Sequence, residues 1–241
     1  MNPVSDTLLI LAAGGASIRF GGGSKLFAEL DGIPVFLHAI RTAASVLAPG
    51  SIILSVPAAS ETDFRAAAKT YLPDVQLHFT HGGATRTMSV LNALEAAAKL
   101  GESRFRLAAV HDAGRPMLTP ELLLACLDAA RTYGGAMACR KVAETVKRIT
   151  PDGFLGETVP RDELRMAETP QVFRFDALLN AYRLAAASGE VFTDDAQVME
   201  RFSPVRVFPV EHEFPNPKIT YRPDLELCRT LVKLRREGTG S

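Results

Sequence analysis

Residues 8–25, LLILAAGGASIRFGGGSK, are the stretch from which the fold of this chain is best inferred. The stretch opens with a short apolar run, which is typical of a buried strand. Two alanines and a loop with five glycines follow, and the loop carries the cations Arg19 and Lys25. Glycines let a ligand approach the backbone, and converging N–H groups beside two cations suit an anion. The alternative is a flexible surface loop, and glycine content alone does not separate the two.

Two common nucleotide-binding loops are excluded by the spacing within this stretch. The P-loop pattern GxxxxGK[ST] is absent, and the dinucleotide fingerprint GxGxxG does not fit. A dehydrogenase with a Rossmann cofactor site is therefore disfavoured. A phosphate-binding loop of another kind stays open.

Composition is that of an ordinary water-soluble globular protein. The 241 residues include 27 basic and 27 acidic side chains, so net charge gives no argument for a nucleic-acid or anionic-membrane partner. No apolar run approaches the ~20 residues of a membrane span, and the first residues lack the pattern of a signal peptide. Three widely spaced cysteines form neither a disulfide framework nor a zinc site, which favours core thiols in a cytoplasmic protein: Cys126, Cys139 and Cys228.

Predicted strands and helices alternate along most of the chain. Strands are predicted over residues 8–11, 51–56, 75–79, 105–110, 135–139 and 205–210. Helices are predicted over residues 34–47, 61–71, 85–99, 175–187 and 223–236, and others start near 119 and 194. This alternation favours an α/β, Rossmann-like fold, with a mostly parallel sheet and helices on both faces. We expect a single domain over residues 1–241.

The pattern changes over residues 144–161, which are polar and rich in β-formers. A turn signal, Pro-Asp-Gly at 151–153, separates two short predicted strands. These residues are predicted to form a β-hairpin arm that projects from the α/β body. A two-stranded hairpin is marginal alone in water, and its apolar residues need something to pack against.

Candidate ligand-binding residues follow the carboxyl ends of the predicted strands, where open α/β sheets bind ligands. Gly82 begins a glycine pair that lets a ligand reach the backbone, and Ser89 could hydrogen-bond a sugar or a base. Asp112 directly follows a buried strand, and its carboxylate suits Mg²⁺. The alternative for residues 82–89 is a capped helix without a ligand. The alternative for Asp112 is an aspartate that hydrogen-bonds its own backbone in a turn. No Ser-His-Asp or Cys-His arrangement stands out, which suits phosphoryl or nucleotidyl transfer.

The chain resembles the 2-C-methyl-D-erythritol 4-phosphate cytidylyltransferases of the non-mevalonate isoprenoid pathway. The resemblance extends over most of the sequence, roughly residues 8–234. It rests on the order and spacing of several motifs: LAAGGASIRFGGGSK, GGATRTMSVLNAL, VHDAGRP, AETVKRI, VPRDELRMAETPQVF, FTDDAQVME, and NPKIT followed by YRPDL.

The resemblance implies a reaction in which the phosphate of methylerythritol phosphate attacks the α-phosphate of CTP and pyrophosphate leaves. Arg19, Lys25 and Lys218 match the cations that surround the reacting phosphates. Mg²⁺ would bridge the CTP phosphates near Asp112. Four residues would hold cytidine: Ala13, Gly14, Gly82 and Ser89.

The resemblance also implies a homodimer that exchanges its arms. Thr145 and Arg161, at the two ends of the arm, match residues that grip the methylerythritol phosphate in the neighbouring subunit's site. Two other functions remain open at this point. One is a cytidylyltransferase for ribitol 5-phosphate or another alditol phosphate, and the other is a non-catalytic nucleotide-binding protein.

Overall fold

The computed structural model describes residues 2–14, 20–21, 23–101 and 104–238. Its strands are β1 (Thr7–Ala12), β2 (Glu29–Leu30), β3 (Ile33–Pro34), β4 (Ile52–Val56), β5 (Leu77–His81), β6 (Leu107–Asp112), β7 (Gly135–Lys141), β8 (Val146–Ile149), β9 (Leu155–Val159), β10 (Arg165–Arg174) and β11 (Phe208–Glu211). Its helices are α1 (Val35–Ala44), α2 (Glu61–Tyr71), α3 (Arg86–Ala98), α4 (Pro120–Tyr133), α5 (Phe175–Ser188), α6 (Asp195–Phe202) and α7 (Arg222–Gly238).

Seven strands of the described chain form one sheet in the order β11-β7-β10-β6-β1-β4-β5. Strand β10 runs antiparallel to β6 and β7, and every other pair in this sheet is parallel. The predicted α/β fold with a mostly parallel sheet is therefore confirmed. The carboxyl ends of β1, β4, β5 and β6 lie at one edge.

Strand β10 is not among the strands predicted from the sequence. This strand contains Pro170, and a proline in a central strand normally argues against that assignment because it cannot donate to the ladder. The register with β7 shifts between Ala167 and Gln171, so the irregularity falls at the proline. Strand pairing resumes with Gln171 opposite Val110 of β6.

Alternating side chains of β1 point to the two faces of the sheet and fill two cores. Leu9 and Leu11 pack with residues of α1, α2, α4 and α7, whereas Leu8 and Ile10 pack with residues of α3, α5 and α6. All four are fully buried, so β1 is covered on both faces, as its continuous apolar run predicts.

The predicted arm is present as a hairpin with a sheet of its own. Within the described residues, strands β8 and β9 pair only with each other, and Val146 faces Val159 in their register. Large apolar side chains near its tip are exposed, with Phe154 at 72% and Leu155 at 73%.

Among the helices of the described residues, none combines the length and apolar character needed to cross a bilayer.

Candidate active site

A cavity of about 200 Å³ lies beyond the carboxyl ends of β1 and β6. Several loops contribute to it: the residues after β1, the loop after β5, the turn after β6 and the segment before α7. The structure brings six of the predicted site residues together in its wall: Ala13, Gly14, Lys25, Ser89, Asp112 and Lys218.

The loop after β5 is fixed by close packing against the first turn of α3. A Cβ on Gly83 would lie 2.3 Å from the Cβ of Met88, so only glycine fits there. The Ser89 hydroxyl accepts a hydrogen bond from the Gly83 N–H at 3.1 Å and donates to the Thr85 carbonyl at 2.9 Å. Gly82 lies directly beside it, because a Cβ there would be 3.1 Å from the Ser89 oxygen. Ser89 thus shapes this loop and keeps acceptor capacity toward the cavity.

Asp112, at the end of β6, is the charged centre of the site. Its Oδ2 lies 2.9 Å from the Lys218 ammonium and 3.4 Å from Nε of Arg115. Its Oδ1 lies 3.9 Å from Nε of Arg86. Burial by itself would raise the pKa of Asp112, but Lys218, Arg86 and Arg115 together hold this pKa well below its usual range. The carboxylate is therefore charged at neutral pH.

The segment that carries Lys218 is tied to the turn after β6. Arg115 donates from Nη1 to the Asn216 carbonyl at 2.7 Å, and the Ile219 N–H donates to the Gly114 carbonyl at 2.8 Å. Asn216 also donates from its side chain to the Thr169 carbonyl of β10 at 2.8 Å. These bonds set Lys218 opposite Asp112.

His111 is a packed, fully buried residue at the end of β6 and not a solvent-accessible base. Its Nε2 lies 3.1 Å from the Arg115 carbonyl, which can only accept, so this nitrogen carries the proton. Its Nδ1 then accepts from the Thr169 hydroxyl at 2.9 Å, and Thr169 in turn accepts from the Asp112 N–H at 3.1 Å. Burial lowers the pKa of His111 to about 4, and the neutral ring helps to fix the backbone of Asp112.

This burial predicts an acid sensitivity of the fold. Between pH 6.5 and about 4 the unfolded chain binds a proton at His111 that the folded chain does not. The free energy of unfolding should then fall as the pH falls, by on the order of 2 kcal/mol between pH 7.5 and 5. Urea unfolding at both pH values should show a smaller fall for His111→Gln, which has no titrating group there. An equal fall in both proteins would contradict the assignment.

A second cavity, of about 180 Å³, adjoins the first. Residues of β10 and of the segment before α6 line it, including Thr169, Thr193 and Asp194. Three charged residues line both cavities: Arg86, Asp112 and Lys218. They mark the border at which ligands in the two cavities would meet.

Apart from Gly82, three predicted site residues are not found in the walls of these cavities as the structure describes them. Arg19 falls outside the described residues. Thr145 and Arg161 are exposed at the base of the arm, where Arg161 donates a hydrogen bond to the Ala143 carbonyl. Neither of them lines the two cavities of the described chain.

The structure adds residues that the sequence analysis did not select. Arg86 lines the first cavity and pairs with Asp195, which is fully buried. Glu168 of β10 is also buried and pairs with Arg140 at 2.7 Å. The adjacent acids of the TDDA motif were the available signal, yet only the fold shows that Asp194 caps α6 while Asp195 turns inward.

No group of three potential metal-ligating side chains occurs among His, Cys, Asp and Glu in the described ranges. Asp112 is a single carboxylate beside cations. That donor set fits a Mg²⁺ ion that arrives on nucleotide phosphates better than an ion held by the protein alone.

Fold and site together define a class of protein. A mostly parallel α/β sheet carries small residues, a buried carboxylate and lysines around a cavity at the carboxyl edge of its strands. It is the arrangement of an α/β nucleotidyltransferase, which acts by positioning and charge stabilisation.

Comparisons with known proteins give the family. The sequence profile of the family described as IspD, 2-C-methyl-D-erythritol 4-phosphate cytidylyltransferase, matches residues 7–234. The cytidylyltransferase of that name from Rhodopirellula baltica is 37% identical, over 96% of this chain and 97% of the relative. The bifunctional IspD/IspF enzyme of Sinorhizobium medicae is 38% identical, and the match spans 96% of this chain but only 59% of that longer enzyme.

A solved structure shows that the fold is also shared. The 4-diphosphocytidyl-2C-methyl-D-erythritol synthase of Anaerococcus prevotii superposes with a TM-score of 0.80 at 26% identity, covering 95% of this chain and 99% of that one. The chain belongs to the family of 2-C-methyl-D-erythritol 4-phosphate cytidylyltransferases.

Proposed function

We propose that this chain joins CTP and 2-C-methyl-D-erythritol 4-phosphate to give 4-diphosphocytidyl-2-C-methyl-D-erythritol and pyrophosphate, in isoprenoid precursor biosynthesis. The observation that carries the proposal is the border between the two cavities, where Arg86, Asp112 and Lys218 line both. A nucleotide in one cavity and a phosphorylated polyol in the other would bring their phosphates together there. Membership of the family supplies the identity of both substrates.

The catalytic problem is charge, because one phosphate anion must attack another. The acceptor phosphate is already ionised and needs no strong base. The site must therefore mainly hold the two substrates in position and neutralise the charge of their phosphates. Lys218 would leave Asp112 to meet the acceptor phosphate and the α-phosphate. Lys25 and Arg19 would stabilise the transition state and the departing pyrophosphate.

The nucleotide would lie along the small residues of the first cavity. Ala13 and Gly14 leave room for a ligand against the backbone after β1, and Ser89 offers an acceptor oxygen. Gly82 is not in the cavity wall but lies directly behind Ser89, where its lack of a side chain would let the loop approach the ligand. Backbone this close to the base would favour a pyrimidine over a purine.

Mg²⁺, or another divalent cation, would neutralise part of the triphosphate charge when it is bound. Asp112, which pairs with Lys218 in this structure, is the carboxylate that would hold it. Activity should therefore vanish in EDTA and return with added Mg²⁺.

Asp112→Asn keeps the shape of the side chain but removes its charge, so it should raise the Mg²⁺ concentration needed for half-maximal activity. The comparison is a Mg²⁺ titration of the variant and of the unmodified enzyme at saturating CTP. Superimposable titrations would leave Asp112 only a structural role.

The choice of acceptor is tested by pyrophosphate release from CTP with either methylerythritol phosphate or ribitol 5-phosphate. The proposal expects a much higher kcat/KM for methylerythritol phosphate. A preference for ribitol 5-phosphate would assign another alditol phosphate to the same fold and site. Failure to release pyrophosphate with either would leave a nucleotide-binding protein.

The partners proposed are thus CTP, a sugar-alcohol phosphate and a second copy of the chain with exchanged arms, without nucleic acid or membrane. A cytoplasmic location agrees with the three cysteines, which are buried free thiols: Cys126, Cys139 and Cys228.

A further inference from the structure

Arg86 is held from behind by a carboxylate and a phenol that are both fully buried. Its Nη1 and Nη2 donate to the two oxygens of Asp195 at 2.9 and 2.7 Å. The hydroxyl of Tyr182 donates to the same carboxylate. Asp195 and Tyr182 are 0% exposed, and they come from α6 and α5, whereas Arg86 begins α3. A bidentate pair of this kind fixes the plane of the guanidinium.

Strand β10 fixes the carboxylate in turn. The side-chain oxygen of Gln171 accepts the N–H of Ala196, next to Asp195, at 2.7 Å. The amide nitrogen of Gln171 donates to Asp194 at 3.2 Å, and Asp194 caps α6. The position of Asp195 is therefore fixed by α6 and β10, so a displaced Arg86 would lose its ion pair with Asp195.

The remaining edge of the guanidinium faces the site. Nε of Arg86 lies 3.9 Å from Oδ1 of Asp112, on the side of the carboxylate that Lys218 does not contact. Burial alone would lower the pKa of Arg86, but the charge of Asp195 outweighs it and raises this pKa. Since Asp195 compensates its charge, Arg86 is better suited to orient Asp112 than to bind a phosphate.

We propose that Asp195 and Tyr182 are positioning residues that act through Arg86: they keep the Asp112 carboxylate in place when Lys218 turns to the ligand phosphates. When Lys218 leaves, Arg115 and Arg86 are the cations that remain beside Asp112. Without Asp195 and Tyr182, Arg86 would no longer be held in a fixed position. The inference rests on the proposed reaction for its kinetic test, and a second test needs no turnover.

Asp195→Asn removes one acceptor and turns an N–H₂ group toward Arg86. We expect kcat to fall about 10- to 100-fold, as for misplaced catalytic groups, with little change in the KM for CTP. Tyr182→Phe leaves the ion pair and removes one hydrogen bond, so it should lower kcat about fivefold or less. This milder variant keeps the test usable if Asp195→Asn folds poorly.

A matched control is available between α3 and α5, the helices that carry Arg86 and Tyr182. Glu95 of α3 and Arg183 of α5 form another bidentate pair, with distances of 2.7 and 3.1 Å, on the surface and away from both cavities. Glu95→Gln should leave kcat unchanged. A loss of kcat there as large as in Asp195→Asn would mean that α3–α5 packing, and not the position of Arg86, controls the rate.

The decisive measurement is a double-mutant cycle with Asp112→Asn. If Asp195 acts through Asp112, Asp195→Asn should cost little further kcat in the Asp112→Asn background. Equal fold losses in both backgrounds would overturn the proposal.

The measurement without turnover is ¹⁵N NMR of the Arg86 Nε–H group. Its exchange with water should be slow in the unmodified protein and in Glu95→Gln, and fast in Asp195→Asn. Unchanged exchange in Asp195→Asn would overturn the proposal even if the enzyme is active. Slow exchange in an unmodified protein that forms no product would instead reject the proposed reaction.

Discussion

Lys25→Ala is expected to lower kcat by about 10²-fold or more while the KM for CTP changes much less. Lys25 lies in the wall of the first cavity, and its ammonium is close to the turn after β6. A Cβ on Gly114 would lie 3.7 Å from this nitrogen. A point charge there acts most strongly on the negative charge that develops as pyrophosphate departs.

Steady-state kinetics with varied CTP measure both constants. The control is Lys69→Ala, which removes an exposed lysine from α2 and should leave both constants unchanged. A near-normal kcat for Lys25→Ala would remove this lysine from the mechanism. A large rise in KM at constant kcat would make it a ground-state binding residue only.

The elements that repeat a simple pattern were predictable from the sequence. The buried run of β1 and the capped starts of α3 and α4 appear where apolar spacing and the threonines Thr85 and Thr119 place them. Helix α2 spans Glu61–Tyr71, the same residues as its prediction. These features depend on local residues, so local reasoning finds them.

Strand β10 was not predictable in the same way, because what makes it a strand is its place between β6 and β7. Its polar first half and its proline argue locally for a loop. Because β10 is not predicted, its contribution to the site is not predicted either: Thr169 hydrogen-bonds His111, and Gln171 holds the start of α6. Contacts between residues far apart in sequence, such as Arg86 with Asp195, carry no local signal either.

The arm shows the opposite case. Its hairpin was predictable from local residues, but the surface against which the arm packs is not shown by a single chain and has to be tested. Ile149, Phe154 and Leu155 are exposed by 62, 72 and 73%, although their apolar surface favours burial. Thr145 and Arg161 lie at its base, away from the cavities lined by Lys25 and Lys218. We propose that a C₂ dimer covers the arm and carries Thr145 and Arg161 into the partner's site.

An exchanged arm predicts that two inactive variants restore activity when they are combined. In a heterodimer of Lys25→Ala and Arg161→Ala, one site has the intact body of the second protomer and the intact arm of the first. The other site carries both lesions. Tag-purified heterodimer should therefore show about half the activity of the unmodified dimer, since one of two equivalent sites works.

The control pairs Lys25→Ala with Lys218→Ala. Both residues belong to the body, so each site of that heterodimer keeps one lesion and should stay inactive whichever way the arms lie. If arms instead serve their own body, the Lys25→Ala and Arg161→Ala heterodimer also keeps one lesion in every site. An inactive heterodimer of that composition, verified by both tags, would reject the exchanged arm and leave Arg161 to act within its own chain.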